Sequence, residues 1–406
     1  MPASTDTAAV RTRSLVFLLL AQVAAMTTWF ATTASLAAMR QGWTLTPFQE
    51  GLMTSSVQAG FVGGTITSAL LSAADRYELR NLFMTSAAIA GGACLAVVLF
   101  TPTDIAVPLL RFVTGFCLAG VYPVGMKMAA TWAKGDLGLL IGLLVGAVTL
   151  GSAMPHLFVP LGLDWRVPCM VAGVCALAGA LLIRRVELGP NRAPAPPFRL
   201  ANATEAFRRR PLRLANLGYF GHMWELYAMW AWIGTFLAAS FAQRYGATPP
   251  IGASVATFLI IASGAIGCLV GGWAADRIGR TAVTIASLAV SGTCALVMGF
   301  AFGGPAWLVL LIGIVWGITV VSDSAQFSAS VTELSDRTLV GTMLTVQTCI
   351  GFLLTLVTIH VMPYVVSGLG WTYAFMMLAL GPAIGITAMA RLRADPASVN
   401  LAGGRR

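Results

Sequence analysis

Charge is what this 406-residue chain has least of: Asp, Glu, Lys and Arg make up 10% of it. An ordinary soluble domain carries about 25%, so the deficit excludes a cytosolic enzyme, a nucleic-acid module and a disordered protein. Histidine is nearly absent, with three residues, and no His/Cys spacing resembles a metal site. The seven cysteines are Cys94, Cys117, Cys169, Cys175, Cys268, Cys294 and Cys349. All lie inside apolar runs, which excludes a disulfide framework and leaves them as small apolar side chains. Nucleophile–base pairs and nucleotide loops are also missing from the polar breaks. An enzyme is therefore not expected, and the chain calls for no cofactor.

What is present is apolar surface: 57% of the residues are hydrophobic, and 43 more are glycine. Twelve bilayer-crossing helices need about 240 apolar positions, close to what that fraction supplies. Candidate spans run over 14–38, 50–74, 80–101, 105–132, 137–160, 167–186, 213–240, 251–274, 281–303, 307–331, 340–362 and 371–392. The first is too long for the hydrophobic core of a cleaved signal peptide, about 7–15 residues, so it is read as a retained span.

The net charge of +10 lies in short breaks between these runs and shares no surface, so nucleic acid is not the expected partner. With a cytoplasmic N-terminus, the inner breaks hold 20 Lys and Arg; the outer loops hold only Arg40, Arg166 and Arg244. The positive-inside rule then places both termini in the cytoplasm. The long break 187–212 contains NRAPAPPF at 191–198 and divides the chain into 1–186, a linker, and 213–406. Ala73-Ala74-Asp75-Arg76 recurs 201 residues later as Ala274-Ala275-Asp276-Arg277, and the same offset carries Trp29 onto Trp230. Equal halves with a repeated turn predict parallel repeats about an axis along the membrane normal.

The second copy of that turn is Gly272-Trp273-Ala274-Ala275-Asp276-Arg277-Ile278-Gly279-Arg280. It resembles the G-x-x-x-D-R-x-G-R signature of the major facilitator superfamily, in which the glycines permit close helix approach and Asp–Arg pairs cap helix ends. The first copy keeps Asp75, Arg76 and Arg80 but has Leu71 and Glu78 in place of the glycines, so its latch is expected to work differently. Arg111-Phe112-Val113-Thr114-Gly115 is similar to the family's R-x-x-x-G motif, which implies a part for Arg111 in proton transfer. The stretch 114–132, TGFCLAGVYPVGMKMAATW, looks like bacterial anion porters of the nitrate and cyanate branches. The arginines that nitrate porters place in the second and eighth spans are missing, so nitrate is not expected. The resemblance implies an all-α membrane protein of 12 transmembrane helices in two six-helix bundles, with the first, fourth, seventh and tenth spans lining a cavity.

Charges inside a span are costly and mark candidate sites. Arg111 and Lys127 lie 16 residues apart, about 160° around an ideal helix, with Tyr122 on the Arg111 face and Pro123 able to bend the helix. Lys127 either serves the cavity or snorkels to the inner interface. Glu225 falls about 18 Å into its span, near mid-depth, with His222, Met229 and Trp232 on its face. A carboxyl there is a candidate proton carrier. Trp316, Thr319, Asp323, Gln326 and Ser330 form a polar stripe expected to face the cavity or the other bundle, with Asp323 pairing Lys127. His156 and His360 are read as hydrogen-bonded structure. Gln22, Thr33, Gln58 and Gln347 are plausible polar lining.

The expectation is a monomeric, multi-pass transporter of the bacterial inner membrane, driven by a proton gradient and working by alternating access. Its partners are protons, the lipid bilayer and a small-molecule substrate, read as an organic anion. Trp29, Arg111, Tyr122, Lys127, Trp232 and Gln326 are the expected substrate residues; His222, Glu225 and Asp323 are the expected proton-coupling residues. Asp75, Arg76, Gly272, Asp276, Arg277, Gly279 and Arg280 form the conformational motif. The alternative is proton-driven efflux of amphipathic compounds.

Overall fold

The computed structural model describes residues 4–134, 136–161, 164–191 and 200–405; the proline-rich part of the expected linker lies outside them. Among the described residues there is no strand, as expected where lipid leaves backbone groups no partner but their own helix. The helical rods are α1 (Ser4–Met26, continuing as Ala31–Ala34 and Leu36–Gly42), α2 (Pro47–Leu70), α3 (Leu79–Ala96) and α4 (Ala106–Leu118, then Tyr122–Ala130). Next come α5 (Leu137–Ala153, then Pro155–Phe158), α6 (Arg166–Leu182), α7 (Arg210–Tyr245) and α8 (Ala253–Ile278). The last are α9 (Arg280–Met298), α10 (Ala306–Ser322, then Ser324–Leu334), α11 (Val340–Leu369) and α12 (Trp371–Ala374, then Leu380–Ala394).

Ten of these rods are long and apolar enough to cross a membrane. The other two, α2 and α7, are 24 and 36 residues long, so length is not what they lack. Their hydropathy is lowered by buried polar residues: Thr54, Ser55, Ser56 and Gln58 on α2, and Asn216, His222 and Glu225 on α7. The helices that look least like membrane helices carry the polar face.

Packing repeats between the halves of the chain. α2 lies on α4 as α8 lies on α10, α3 on α6 as α9 on α12, and α7 packs on α12 as α1 packs on α6. The first two pairs are fused by glycine. A Cβ on Gly115 would stand 1.9 Å from the carbonyl oxygen of Val57, and one on Gly317 would stand 1.9 Å from that of Ile260. Backbones this close are how small residues join helices where apolar burial gives no preference over lipid. Between the two sets, α2 meets α11 and α5 meets α8.

Three rods break. In α4 the break at 119–121 precedes Pro123, as its ring requires. The break in α10 falls at Asp323, 202 residues on and at the equivalent depth. The break in α1 at 27–30 has neither Pro nor Gly. There Thr27 and Thr28 turn their hydroxyls back onto the carbonyls of Ala24 and Ala25, at 2.7 and 2.8 Å, competing with the helical ladder.

Candidate functional site

The broken end of α1 is held by Arg111. Its Nη1 donates to the carbonyl oxygen of Thr28 at 2.7 Å, and its Nη2 donates to that of Trp29. The guanidinium is fully buried and caps carbonyls that unwinding has freed, where the helix dipole favours a cation. Lys127 does not meet Asp323. It donates to Asp75 at 2.5 Å and to the carbonyl of Ala74 at 2.9 Å, joining α4 to the first signature turn. The break at 119–121 resets the azimuth of Lys127, which an unbroken helix had placed about 160° from Arg111.

Glu225 is buried against α9 and α10. Trp316 donates its indole N–H to Oε1 at 2.7 Å, and Ser291 donates its hydroxyl to Oε2 at 2.9 Å. Both partners are neutral. The indole can only donate, whereas the Ser291 hydroxyl can donate or accept, so the pocket can hold the carboxyl in either protonation state. One turn earlier on α7, His222 Nδ1 lies 2.9 Å from Asp323 Oδ1. Its Nε2 lies 2.8 Å from the hydroxyl of Ser324. Asp323 thus occupies the α10 break with a histidine across from it, all three side chains coming from α7 and α10.

In the polar stripe of α10, Trp316 and Asp323 therefore face α7 and Gln326 faces α9, while Thr319 and Ser330 bond carbonyls of their own helix. Gln326 accepts from Arg280 at 2.8 Å, which joins it to the signature cluster. Arg280 also reaches Glu333 at 2.9 Å and Asp276 at 3.3 Å. Gly279 has φ +97°, which its motif position demands. Gly272 faces open space; the close approach belongs to Gly271, whose added Cβ would lie 2.1 Å from the Ser322 carbonyl. Arg277 stacks over Trp273 at 4.0 Å. In the first copy Glu78 keeps ordinary backbone and caps α3 through Asn81 at 2.9 Å. The left-handed residue there is Ser72, φ +50°. Arg76 closes that turn as an exposed residue.

Tyr122 opens the second half of α4, half-buried at the break. Trp232 donates to the carbonyl of Ile359 on α11 at 3.1 Å and lines a cleft of about 470 Å³ with Arg40, Glu50, Pro363 and Trp371. Trp29 is fully buried in a ring cluster that the sequence did not single out. Its centroid lies 5.1 Å from Phe61, 5.8 Å from Tyr227 and 5.8 Å from Phe352. His360, read from the sequence as hydrogen-bonded structure, meets Ser55 at 2.8 Å and stacks on Phe48 at 5.1 Å, bridging α11 to α2. The only sequence sign of that bridge is Gly51, whose missing side chain leaves room for the imidazole.

Residues 18–242 match the family model of the Major Facilitator Superfamily. No curated protein matches the chain. Among solved structures, the nucleoside transporter NupG superposes with a TM-score of 0.70 and 15% identity, over 94% of this chain and 99% of that one. At this identity the likeness shows the fold. The chain belongs to the Major Facilitator Superfamily and is a multi-pass membrane transporter of a small molecule rather than an enzyme.

Proposed function

We propose that the chain is a proton-coupled secondary transporter of the bacterial inner membrane, with twelve crossings in two six-helix halves and both termini in the cytoplasm. The observation that carries the coupling is Glu225: a buried carboxyl bonded by Ser291 and Trp316 and, among the described residues, by no cation. A membrane-embedded carboxylate of that kind is costly unless a proton can neutralise it. The His222–Asp323 pair one turn away offers a second proton-binding group in reach of the same helix. Alternating access follows from rocking the halves about the contacts of α2 with α11 and α5 with α8. The His360–Ser55 contact would part in one of the two states.

The organic-anion reading rests on Arg111 and Lys127. Two donors of the first are spent on carbonyls and the second is bonded to Asp75, so an anion would have to displace protein partners. These commitments favour a small uncharged organic solute over an anion. The ring-bearing nucleoside named for NupG is of that kind. A second reading, efflux of amphipathic compounds, is favoured by the Trp and Ala lining of the cleft beside Trp232.

The test is flux in proteoliposomes loaded with a pH-sensitive dye, using uridine, benzoate and tetraphenylphosphonium as probes. The expected result is proton movement that depends on a transported probe and is lost in Glu225→Gln, while the same variant still exchanges probe across the bilayer. Probe transport without proton movement, unchanged in the variant, would remove the coupling.

A further inference from the structure

Between α1 and α2 on one side and α7 and α11 on the other, four rings meet: Trp29, Phe61, Tyr227 and Phe352. Phe61 and Phe352 are 4.6 Å apart, Tyr227 and Phe352 are 5.0 Å apart, and Trp29 touches the other three. Trp230 extends the cluster, 5.5 Å from Tyr227. Each half of the chain therefore supplies part of the cluster.

A gate needs only apolar bulk, but these positions also carry hydrogen-bonding groups that the protein leaves unspent. Gln58, one turn before Phe61 on α2, is fully buried, and neither its carboxamide oxygen nor its nitrogen has a hydrogen-bond partner among the described residues. The same holds for the indole N–H of Trp29 and of Trp230. Buried polar groups are nearly always paired, and an unpaired carboxamide in an apolar site is unfavourable. Three such groups beside one ring cluster call for a partner from outside the protein.

The charges nearest the cluster are engaged elsewhere. Arg111 donates through both Nη atoms to the backbone of Thr28 and Trp29, with only its Nε left unpaired among the described residues, and Glu225 accepts from Ser291 and Trp316. Among the described residues the cations that stand over rings belong to Trp165, Tyr245 and Trp273, not to this cluster.

We propose that Trp29, Phe61, Tyr227 and Phe352, with the carboxamide of Gln58 and the indole N–H groups of Trp29 and Trp230, bind an uncharged solute with a planar, hydrogen-bonding ring. The ring of the solute replaces the ring contacts made across the halves, since offset and edge contacts between aromatic faces are interchangeable in kind. Its polar edge meets Gln58 and the indoles. The site lies among α1, α2, α7 and α11, sharing α1 and α7 with the α1–α4–α7–α10 set that the family resemblance implied. It shares α7 with the proton groups: Tyr227 is two residues after Glu225, about 3 Å of helix rise. Binding and protonation thus act on one rod. The proposal rests on the reading of the chain as a transporter with its site between the halves.

The test measures thermal stability and tryptophan fluorescence of the purified full-length protein. The probes are uridine, nicotinamide and adenine (uncharged rings), benzoate (an anion) and tetraphenylphosphonium (a cation). At least one uncharged ring should raise the melting temperature and quench the fluorescence. Gln58→Leu should weaken its binding about tenfold, as for a ligand hydrogen bond lost in a buried site. Trp230→Phe, which keeps a ring and deletes only the N–H, should weaken it several-fold. Both variants are compared at matched monodispersity, so misfolding is read separately from lost binding. Stabilisation by benzoate or tetraphenylphosphonium alone overturns the proposal, and so does binding of an uncharged ring that neither substitution changes, or no binding of any probe. Flux separates the two readings. If benzoate is transported and Gln58→Leu leaves it unchanged, the site falls and the transporter reading stands. If uncharged rings bind through Gln58 but no probe crosses the proteoliposome membrane, the transporter reading falls instead.

Discussion

The guanidinium of Arg111 donates to the carbonyl oxygen of Thr28 at 2.7 Å, joining residues 83 positions apart in sequence. That bond holds open the break that presents Trp29 and Phe30 to the other half of the molecule. Removing it leaves the carbonyls of Thr28 and Trp29 without their cationic donor. Arg111→Ala should therefore destabilise the protein by about 2–4 kcal/mol, two charge-assisted bonds and one packed side chain. Arg111→Lys keeps the charge but has no planar fork to serve two acceptors, and should lose about half as much. Thermal unfolding in detergent measures both. Equal stability of all three proteins would show that the break is held by the threonines alone.

The glycine contacts give an ordered set of outcomes. Gly115→Ala and Gly317→Ala each push a methyl group into a carbonyl 1.9 Å away, and each should cost about 1–3 kcal/mol by overpacking. Because the two contacts lie in different halves, the double substitution should be additive within about 0.5 kcal/mol. Gly92 is exposed on α3, with nothing near its position. Gly92→Ala should be neutral or gain up to about 1 kcal/mol from the reduced backbone freedom of the unfolded chain. Melting temperatures that failed to separate Gly92 from Gly115 and Gly317 would refute backbone contact as the cause.

Much of this architecture was legible in the sequence because it rests on local quantities. Apolar run length gave the rods, and Pro123 announced the α4 break. The 201-residue repeat of Ala-Ala-Asp-Arg marked equivalent turns. The α1 break was not legible, because Thr27 and Thr28 only permit it and its capping cation sits on another helix. The partner of Lys127 was missed for a related reason: depth can be counted along a helix, but azimuth is lost at a break. Glu225 was singled out because a carboxyl in an apolar run stands out. Phe61, Tyr227 and Phe352 were not, because an aromatic in such a run looks like any other core residue until three helices bring them together. Gly272 was credited with a close approach that the adjacent Gly271 makes.

Acid should loosen the polar turn between α4 and α5 only at low pH. Asp136 accepts from the backbone N–H of Lys134 and from Arg11, and these bonds hold its carboxyl below the ordinary carboxylate range. A depressed carboxyl contributes stability that is present above the unfolded value, about 3.9, and is lost as pH falls through the lower folded value. Asp136→Asn should therefore change stability little, about 0.5 kcal/mol for so exposed a pair. That difference should be constant from pH 5 to 8 and vanish only below about pH 4. Parallel thermal scans of both proteins across that range give the comparison. A difference that closes near neutral pH would assign the titration to another group.

The segment after α12 is bound through the carboxylate of Glu333 and the backbone carbonyl of Asp276. Glu333 accepts from Arg280 through Oε1 at 2.9 Å and from the backbone N–H of Ala402 through Oε2 at 3.0 Å, while Arg405 donates to the carbonyl of Asp276. Leu401 is fully buried beside them, and Ala402 is held at φ +48°. Two substitutions should move in opposite directions. Glu333→Ala frees Arg280 and the Ala402 amide together, costing about 1–3 kcal/mol and exposing 396–405 to trypsin at Arg405. Ala402→Gly removes the left-handed strain of a residue with a Cβ, worth about 1 kcal/mol, and should raise the melting temperature while leaving the segment protected. If Glu333→Ala left the cleavage rate unchanged, the burial of Leu401 would be what holds the segment, and Leu401→Asp should then release it.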